Sequence, residues 1–262
     1  MPLMENLEGF ENVSPFIQWA IFIVGCLIAV VAVISLLISF WLFIKYITFN
    51  RRNNSANLSG KAAARKILDE NGLQKIKVST FGSLLFGNSY SHYFNKVRLR
   101  RLTADKTSIT SLAMGAEKAA LAVLDKEGDK DMRARVALTP LMYLGPVAFI
   151  PIIVVGIALD LIMFNFTGIA TLIAAILGIG IYAVSFALSV QTLKTEKKAQ
   201  ERAYDMLKEY DMATDEELGM MKELFKLYNI QYINDIVMEL LQLIMRLLQL
   251  IAKLQQGAAS ND

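Results

Sequence analysis

The sequence predicts a predominantly α-helical integral membrane protein, with three to four transmembrane helices and a small α+β cytoplasmic portion. Three observations carry that fold class. Hydrophobic residues make up 55% of the chain and charged residues only 19%, where soluble domains usually carry roughly 25% charge. The apolar excess collects in runs at Ile17–Ile44, Leu141–Met163 and Ile169–Leu193, with a weaker one at Ile236–Leu254. Charge is also lopsided: residues 45–138 hold 18 Lys/Arg against 8 Asp/Glu, whereas Met1–Pro15 holds Glu5, Glu8 and Glu11 and no base.

The first run contains 28 residues without a charge, and about 20 suffice to cross the hydrocarbon core. A signal peptide would need a basic start and an apolar stretch of roughly 7–15 residues, so the expectation is a retained anchor. Basic residues favour the cytoplasmic side. That rule makes 1–16 an extracytoplasmic tail, 17–44 the first span, and 45–138 a cytoplasmic segment opened by Lys45, Arg51 and Arg52. It explains the basic stretch before nucleic acid does, so the partners expected are membrane lipid and not nucleic acid. The single cysteine, Cys26, lies in mid-span, which excludes an intramolecular disulfide and a Cys-rich metal site.

Within 45–138, Arg51–Gly60 reads as a polar linker. Ser59 and Gly72 bracket a short amphipathic helix with Ala63, Ile67 and Leu68 on one face. Lys75–Leu102 predicts two or three short strands including a hairpin near Asn95–Lys96. Thr107–Asp125 returns to helical spacing, with Ile109, Leu112, Ala113, Ala116, Ala120 and Val123 on a buried face. Asp125–Arg135 reads as a charged connection.

Residues 139–193 form a transmembrane hairpin turning near Asn165–Gly168. Pro146 and Pro151 predict a kink in its first helix. Ala170, Ala174 and Gly178 recur every four residues in its second, a spacing that permits close helix approach, although small residues are frequent in membrane helices anyway. Asp160 is the one acid inside the three clear spans. It marks an ion pathway or an interfacial group, and its nearness to Phe164 favours the interface.

Residues 194–228 read as cytoplasmic helices, one ending near Tyr210 and another opened by a Thr214/Glu217 capping box and ending at Tyr228. In 229–256, leucine and isoleucine cover most of the helix circumference, interrupted by Glu239, Arg246 and Lys253. That favours a fourth span or a buried oligomerisation helix over an amphipathic surface helix. Glu239 and Arg246, two turns apart, share a face on which they could pair within an assembly. Residues 257–262 are a polar tail.

Several local strings resemble the YugP-type neutral zinc metallopeptidases, membrane proteins of the HExxH kind. SGKAAARKILDENGL is similar to that family's first cytoplasmic helix, and SHYFNKVRL to its DHYDP…VRL region. SITSLAMGAEKAALAV is similar to its metal-binding helix, and TLKTEKKAQERA to the later segment carrying an acidic ligand. The resemblance covers about 58–254 and rests on the order and spacing of these strings. It implies Glu117 at the general-base position and Glu196 at the acidic-ligand position. It also puts Ala116 and Ala120 where HExxH has its two histidines.

Histidines four residues apart on a helix face one way and grip a metal, while the adjacent Glu activates bound water. Alanine has no lone pair, and the neighbouring Lys118 would repel a divalent ion. The chain has one histidine, His92, whereas catalytic zinc sites use three protein ligands, mostly His. His92 is expected to pack beside Tyr90, Tyr93 and Phe94. No GxSxG elbow, Walker loop, GxGxxG or CxxC is present.

The reading is therefore a catalytically inactive membrane zinc-peptidase homologue without cofactor. It would act as scaffold or subunit, as a homo-oligomer or with another membrane protein such as an active paralogue. A peptidase with an unconventional site and a small transporter or channel subunit are the alternatives.

Overall fold

The computed structural model describes residues 13–81, 84, 87–142, 145–163 and 168–259. The chain is mostly helical and divides into two compact units, Met1–Leu36 with Thr139–Ser189 and Asn234–Asp262, and Leu37–Leu138 with Val190–Ile233. Three long helices contribute to both: α1 (Pro15–Asn50), α7 (Ile169–Glu209) and α8 (Asp215–Ala259). The reading of 194–228 and 229–256 as separate helices is thereby corrected. Composition changes near Leu193 and Tyr228, but no Pro or Gly stands at either point, so the backbone ladder continues.

In the first unit, α6 (Gly145–Met163) packs on α7. A Cβ at Gly156 would lie 2.6 Å from the Ala174 Cβ and 3.0 Å from the Ala170 carbonyl oxygen. The Ala170/Ala174 stripe thus serves close approach, with Gly156 opposite it. Asp160 is buried and accepts hydrogen bonds from the Ala170 N–H at 3.0 Å, the Thr171 N–H at 2.7 Å, and the Thr171 hydroxyl. It caps the first turn of α7, whose amides have no partner within the helix. The turn at Asn165–Gly168 lies outside the described residues except for Gly168, which has φ 75°. Pro151 sits inside α6.

α8 meets both α1 and α7 in this unit. The Ser14 N–H donates to Gln255 Oε1 at 3.0 Å, and Val13, Ile17 and Ala252 form a small buried cluster. The Tyr182 hydroxyl donates to Gln242 Oε1 at 2.6 Å, and the Arg246 guanidinium stacks 5.0 Å from the Tyr182 ring centroid. Arg246 thus meets α7 through Tyr182, and the Glu239 carboxyl lies beside Ser189 of α7 with one oxygen buried and unpartnered among the described residues.

The second unit holds α2 (Gly60–Glu70), strands β1 (Lys77–Ser79), β2 (Ser89–Ser91) and β3 (Lys96–Arg98), and α3 (Arg101–Asp105). α4 (Ile109–Glu127) and α5 (Lys130–Met142) follow. Ser59 caps α2 by accepting from the Ala62 N–H, and Ala63, Ile67 and Leu68 are fully buried. The sheet has order β1-β3-β2, with β3 parallel to β1 and antiparallel to β2. Asn95 closes the β2–β3 hairpin at φ 45°. Asp125–Arg135 is not a charged connection: only Gly128, at φ 72°, and Asp129 separate α4 from α5. Asp129 Oδ1 accepts from the Asp131 and Met132 N–H groups and so starts α5.

The Arg51–Gly60 linker is ordered by one buried side chain. Asn54 donates to the Leu58 and Thr107 carbonyls and accepts from the Leu58 N–H. Glu217 ties this turn to the start of α8, accepting from Ser55 N–H at 2.6 Å, Ser55 hydroxyl at 2.7 Å and Thr214 N–H at 2.8 Å. Burial pushes its carboxyl up, but these donors hold it below the usual range. A depressed carboxylate adds stability above its unfolded pKa, and that stability is lost as pH falls through and below the usual carboxylate range. Replacing Glu217 with Gln is expected to lower stability by about 1–3 kcal/mol at pH 7 and to flatten this acid limb. Chemical denaturation of detergent-purified protein across pH 3–7 checks both.

Candidate functional site

α4 is buried on every side from Ile109 to Leu124. The sequence periodicity marked one buried face, but α2, α3 and the sheet pack against this helix, and α7 and α8 supply side chains to it. Ser108 begins it, accepting from the Ser111 N–H, and Gly128 ends it. Polar residues in such a helix must find partners inside the fold.

Ala116, Glu117 and Ala120, grouped with Glu196 from the sequence, all lie in this interior. Ala116 and Ala120 are fully buried, and Glu117 and Glu196 are 3% exposed each. Between the two carboxylates stands Lys118. Its ammonium is 3.0 Å from Glu117 Oε2 and 2.7 Å from Glu196 Oε2. Arg135 of α5 reaches the other Glu196 oxygen at 2.9 Å and donates to the Thr195 hydroxyl at 2.8 Å. Gln200, one turn beyond Glu196, donates to Glu117 Oε1 at 2.9 Å and accepts from Asn229 of α8 at 2.8 Å.

Two carboxylates and two cations thus form a closed, charge-balanced network. Burial pushes the Glu117 carboxyl above its ordinary value, against the pull of Lys118. Burial acts on Glu196 too, but Lys118 and Arg135 hold its carboxyl well below the carboxylate range. Burial opposes the Lys118 charge, yet Glu117 and Glu196 keep it firmly protonated. Glu117 is thus a buried, hydrogen-bonded residue of α4.

The pairing of Lys118 with both acids was legible only in part. Gln200 follows Glu196 by four residues and so shares its face, a usable signal. Arg135 and Asn229 left none, since each arrives from a distant helix.

His92 stands elsewhere. Its Nδ1 lies 2.6 Å from Asp125 Oδ2, which also accepts from the Tyr90 hydroxyl at 2.6 Å, and its ring meets Tyr93 edge-on. Asp125 is eight residues beyond Glu117 on α4, about 12 Å along the axis. His92 packs beside Tyr93 as the sequence predicts, and the helix pair is out of its reach. Among the described residues, no group of three or more His, Cys, Asp and Glu side chains lies close enough to hold a metal ion. Asp160, Glu239 and Arg246 belong to the other unit and take no part in this network.

The chain matches the model of the family described as "Putative neutral zinc metallopeptidase" over residues 24–252. Comparison with curated proteins and with solved structures gives no match. The family match spans the segments whose order and spacing carried the resemblance, and it covers nearly the whole chain. The protein belongs to the putative neutral zinc metallopeptidase family.

Proposed function

We propose that this member is a catalytically inactive membrane homologue of the family, acting as a scaffold or subunit of a membrane protein complex. One observation carries the reading: the Lys118 ammonium sits between Glu117 and Glu196, the two acids assigned by resemblance to the general base and the later ligand. Zinc is the ion the family description implies, and the residues do not fit it. Ala116 and Ala120 offer methyl groups at the histidine positions. The two carboxylates are already neutralised by Lys118 and Arg135, two monocations in place of one dication.

Membrane placement is supported by α1 and α7, which are long and apolar enough to cross a bilayer. None of the most apolar window of α1 is buried inside the fold. A soluble core helix would be covered, whereas a lipid-facing helix needs no cover. In this reading α6 and the 229–256 part of α8 are further spans, the N-terminus is extracytoplasmic, and the basic 45–138 segment is cytoplasmic. Partners are membrane lipid and either further copies or another membrane protein, such as an active paralogue. Copurification in gentle detergent identifies them. Asp160 works as a helix cap and Arg246 stacks on Tyr182, so neither favours the transport alternative.

Bound zinc and peptide turnover test the reading. Wild type is expected to carry far less than one zinc per chain and to cleave no peptide above the Glu117→Gln background. Ala116→His with Ala120→His is expected to add little, because the Lys118 charge remains. Adding Lys118→Ala to that pair is expected to raise zinc towards one per chain. Stoichiometric zinc in wild type, or turnover abolished by Glu117→Gln, overturns the proposal.

A further inference from the structure

A cavity of about 870 Å³ opens in the second unit between the lower part of α1, the start of α3 and α8. Its apolar wall comes from Leu42 and Phe43 of α1 together with Leu84 and Leu102. Leu84 and Leu102 are 93% and 63% exposed, and Phe43 is 60% exposed. Side chains so apolar are costly to leave in water, and here they stand beside the end of the longest apolar run. Its polar lining comes from Ser39, Tyr46, Arg100, Arg101 and Tyr228, the last packed against the buried core. No acidic side chain lines the cavity among the described residues. Among the described residues, Arg101 makes a long 3.7 Å contact to Asp105, with its side chain 91% exposed.

The chemistry is two-sided. An apolar trough continuous with the exposed surface of α1 suits a hydrocarbon chain. The two guanidiniums that line it suit a phosphodiester, which guanidinium recognises through paired N–H donors. The basic side of the chain faces the leaflet that is anionic in cells. We propose that this cavity binds one anionic glycerophospholipid of the cytoplasmic leaflet, with its phosphate on Arg100 and Arg101 and an acyl chain along Leu42 and Phe43. The proposal rests on the membrane placement given above, and is independent of whether the Glu117–Lys118–Glu196 network hydrolyses anything.

The full chain, reconstituted into nanodiscs of equal phosphatidylglycerol and phosphatidylcholine, is released and its bound lipid counted by native mass spectrometry. Wild type is expected to retain phosphatidylglycerol over phosphatidylcholine by roughly 30-fold, the factor that two basic side chains supply at an anionic surface. Arg100→Gln with Arg101→Gln is expected to bring that ratio near one. Lys61→Gln with Lys75→Gln, which removes two exposed charges away from the cavity, is expected to leave it unchanged. Absence of a preference in wild type overturns the site, as does its survival in the Arg100/Arg101 variant or its equal loss in the Lys61/Lys75 control. Displacement of the lipid by soluble glycerol phosphate at equal concentration also overturns it, since the acyl chain would then contribute nothing. Failure to enter nanodiscs would sink the membrane placement and this site together. Entry without lipid preference sinks the site alone.

Discussion

Lys118→Met is expected to destabilise the protein by about 3–5 kcal/mol at pH 7, the cost of removing one partner from a buried ion pair. Methionine keeps the length of the stem but leaves Glu117 and Glu196 facing each other without the ammonium between them. Arg135 still holds Glu196 and Gln200 still donates to Glu117, so the fold loses a charge and not the whole network. The pH dependence gives the sign. In wild type, the depressed Glu196 carboxyl contributes stability that is present above its unfolded pKa and lost as pH falls below it. In the variant both carboxyls lose their shared cation and rise, and an acid raised on folding loses stability as pH increases through the raised range. The deficit should therefore be small at pH 5 and grow towards pH 8. Glu117→Gln added to Lys118→Met should restore more than half of it, since a neutral pair needs no counter-charge. Denaturant midpoints at the two pH values measure this, and an equal deficit at both would contradict the network.

Gly115→Ala is the second large effect, with an expected loss of about 3 kcal/mol. A Cβ at Gly115 would press into the Gly60 carbonyl, with the Gly60 carbon 2.9 Å away and its Cα 3.0 Å away. All three are backbone atoms, which cannot swing aside as a side-chain end can. Gly60 is held in turn, because a Cβ there would meet the Thr103 carbonyl and lie 2.6 Å from the Ser111 carbonyl oxygen. Gly219→Ala on α8, where nothing lies within 4 Å of the added carbon, is the control. It should stabilise by up to about 1 kcal/mol through helix propensity alone. Thermal denaturation of both variants in one detergent separates packing from propensity; a mild effect at Gly115 would mean that α2 and α4 can part.

The local signals in this chain were strong where backbone chemistry acts over a few residues. Ser59, the Thr214/Glu217 box and the turn at Asn95 each fix a boundary by their own hydrogen bonds or φ, and each is readable in isolation. The long helices were harder. Leu193 and Tyr228 mark changes of environment, and environment does not interrupt a helix that lacks Pro or Gly. The burial of α4 on all sides was also illegible, since alanine-rich sequence suits an exposed helix and a crowded one equally.

By itself the sequence determined the family, the apolar runs and the presence of a single histidine, because identity and spacing are properties of the chain alone. Only the tertiary structure decided what stands beside Glu117. Lys118 follows it in the chain, but Glu196 and Arg135 come from other helices, and only their convergence in a dry interior makes a lysine's charge obligatory. The sign and strength of that interaction depend on distance and dielectric, and neither is written in a residue's name.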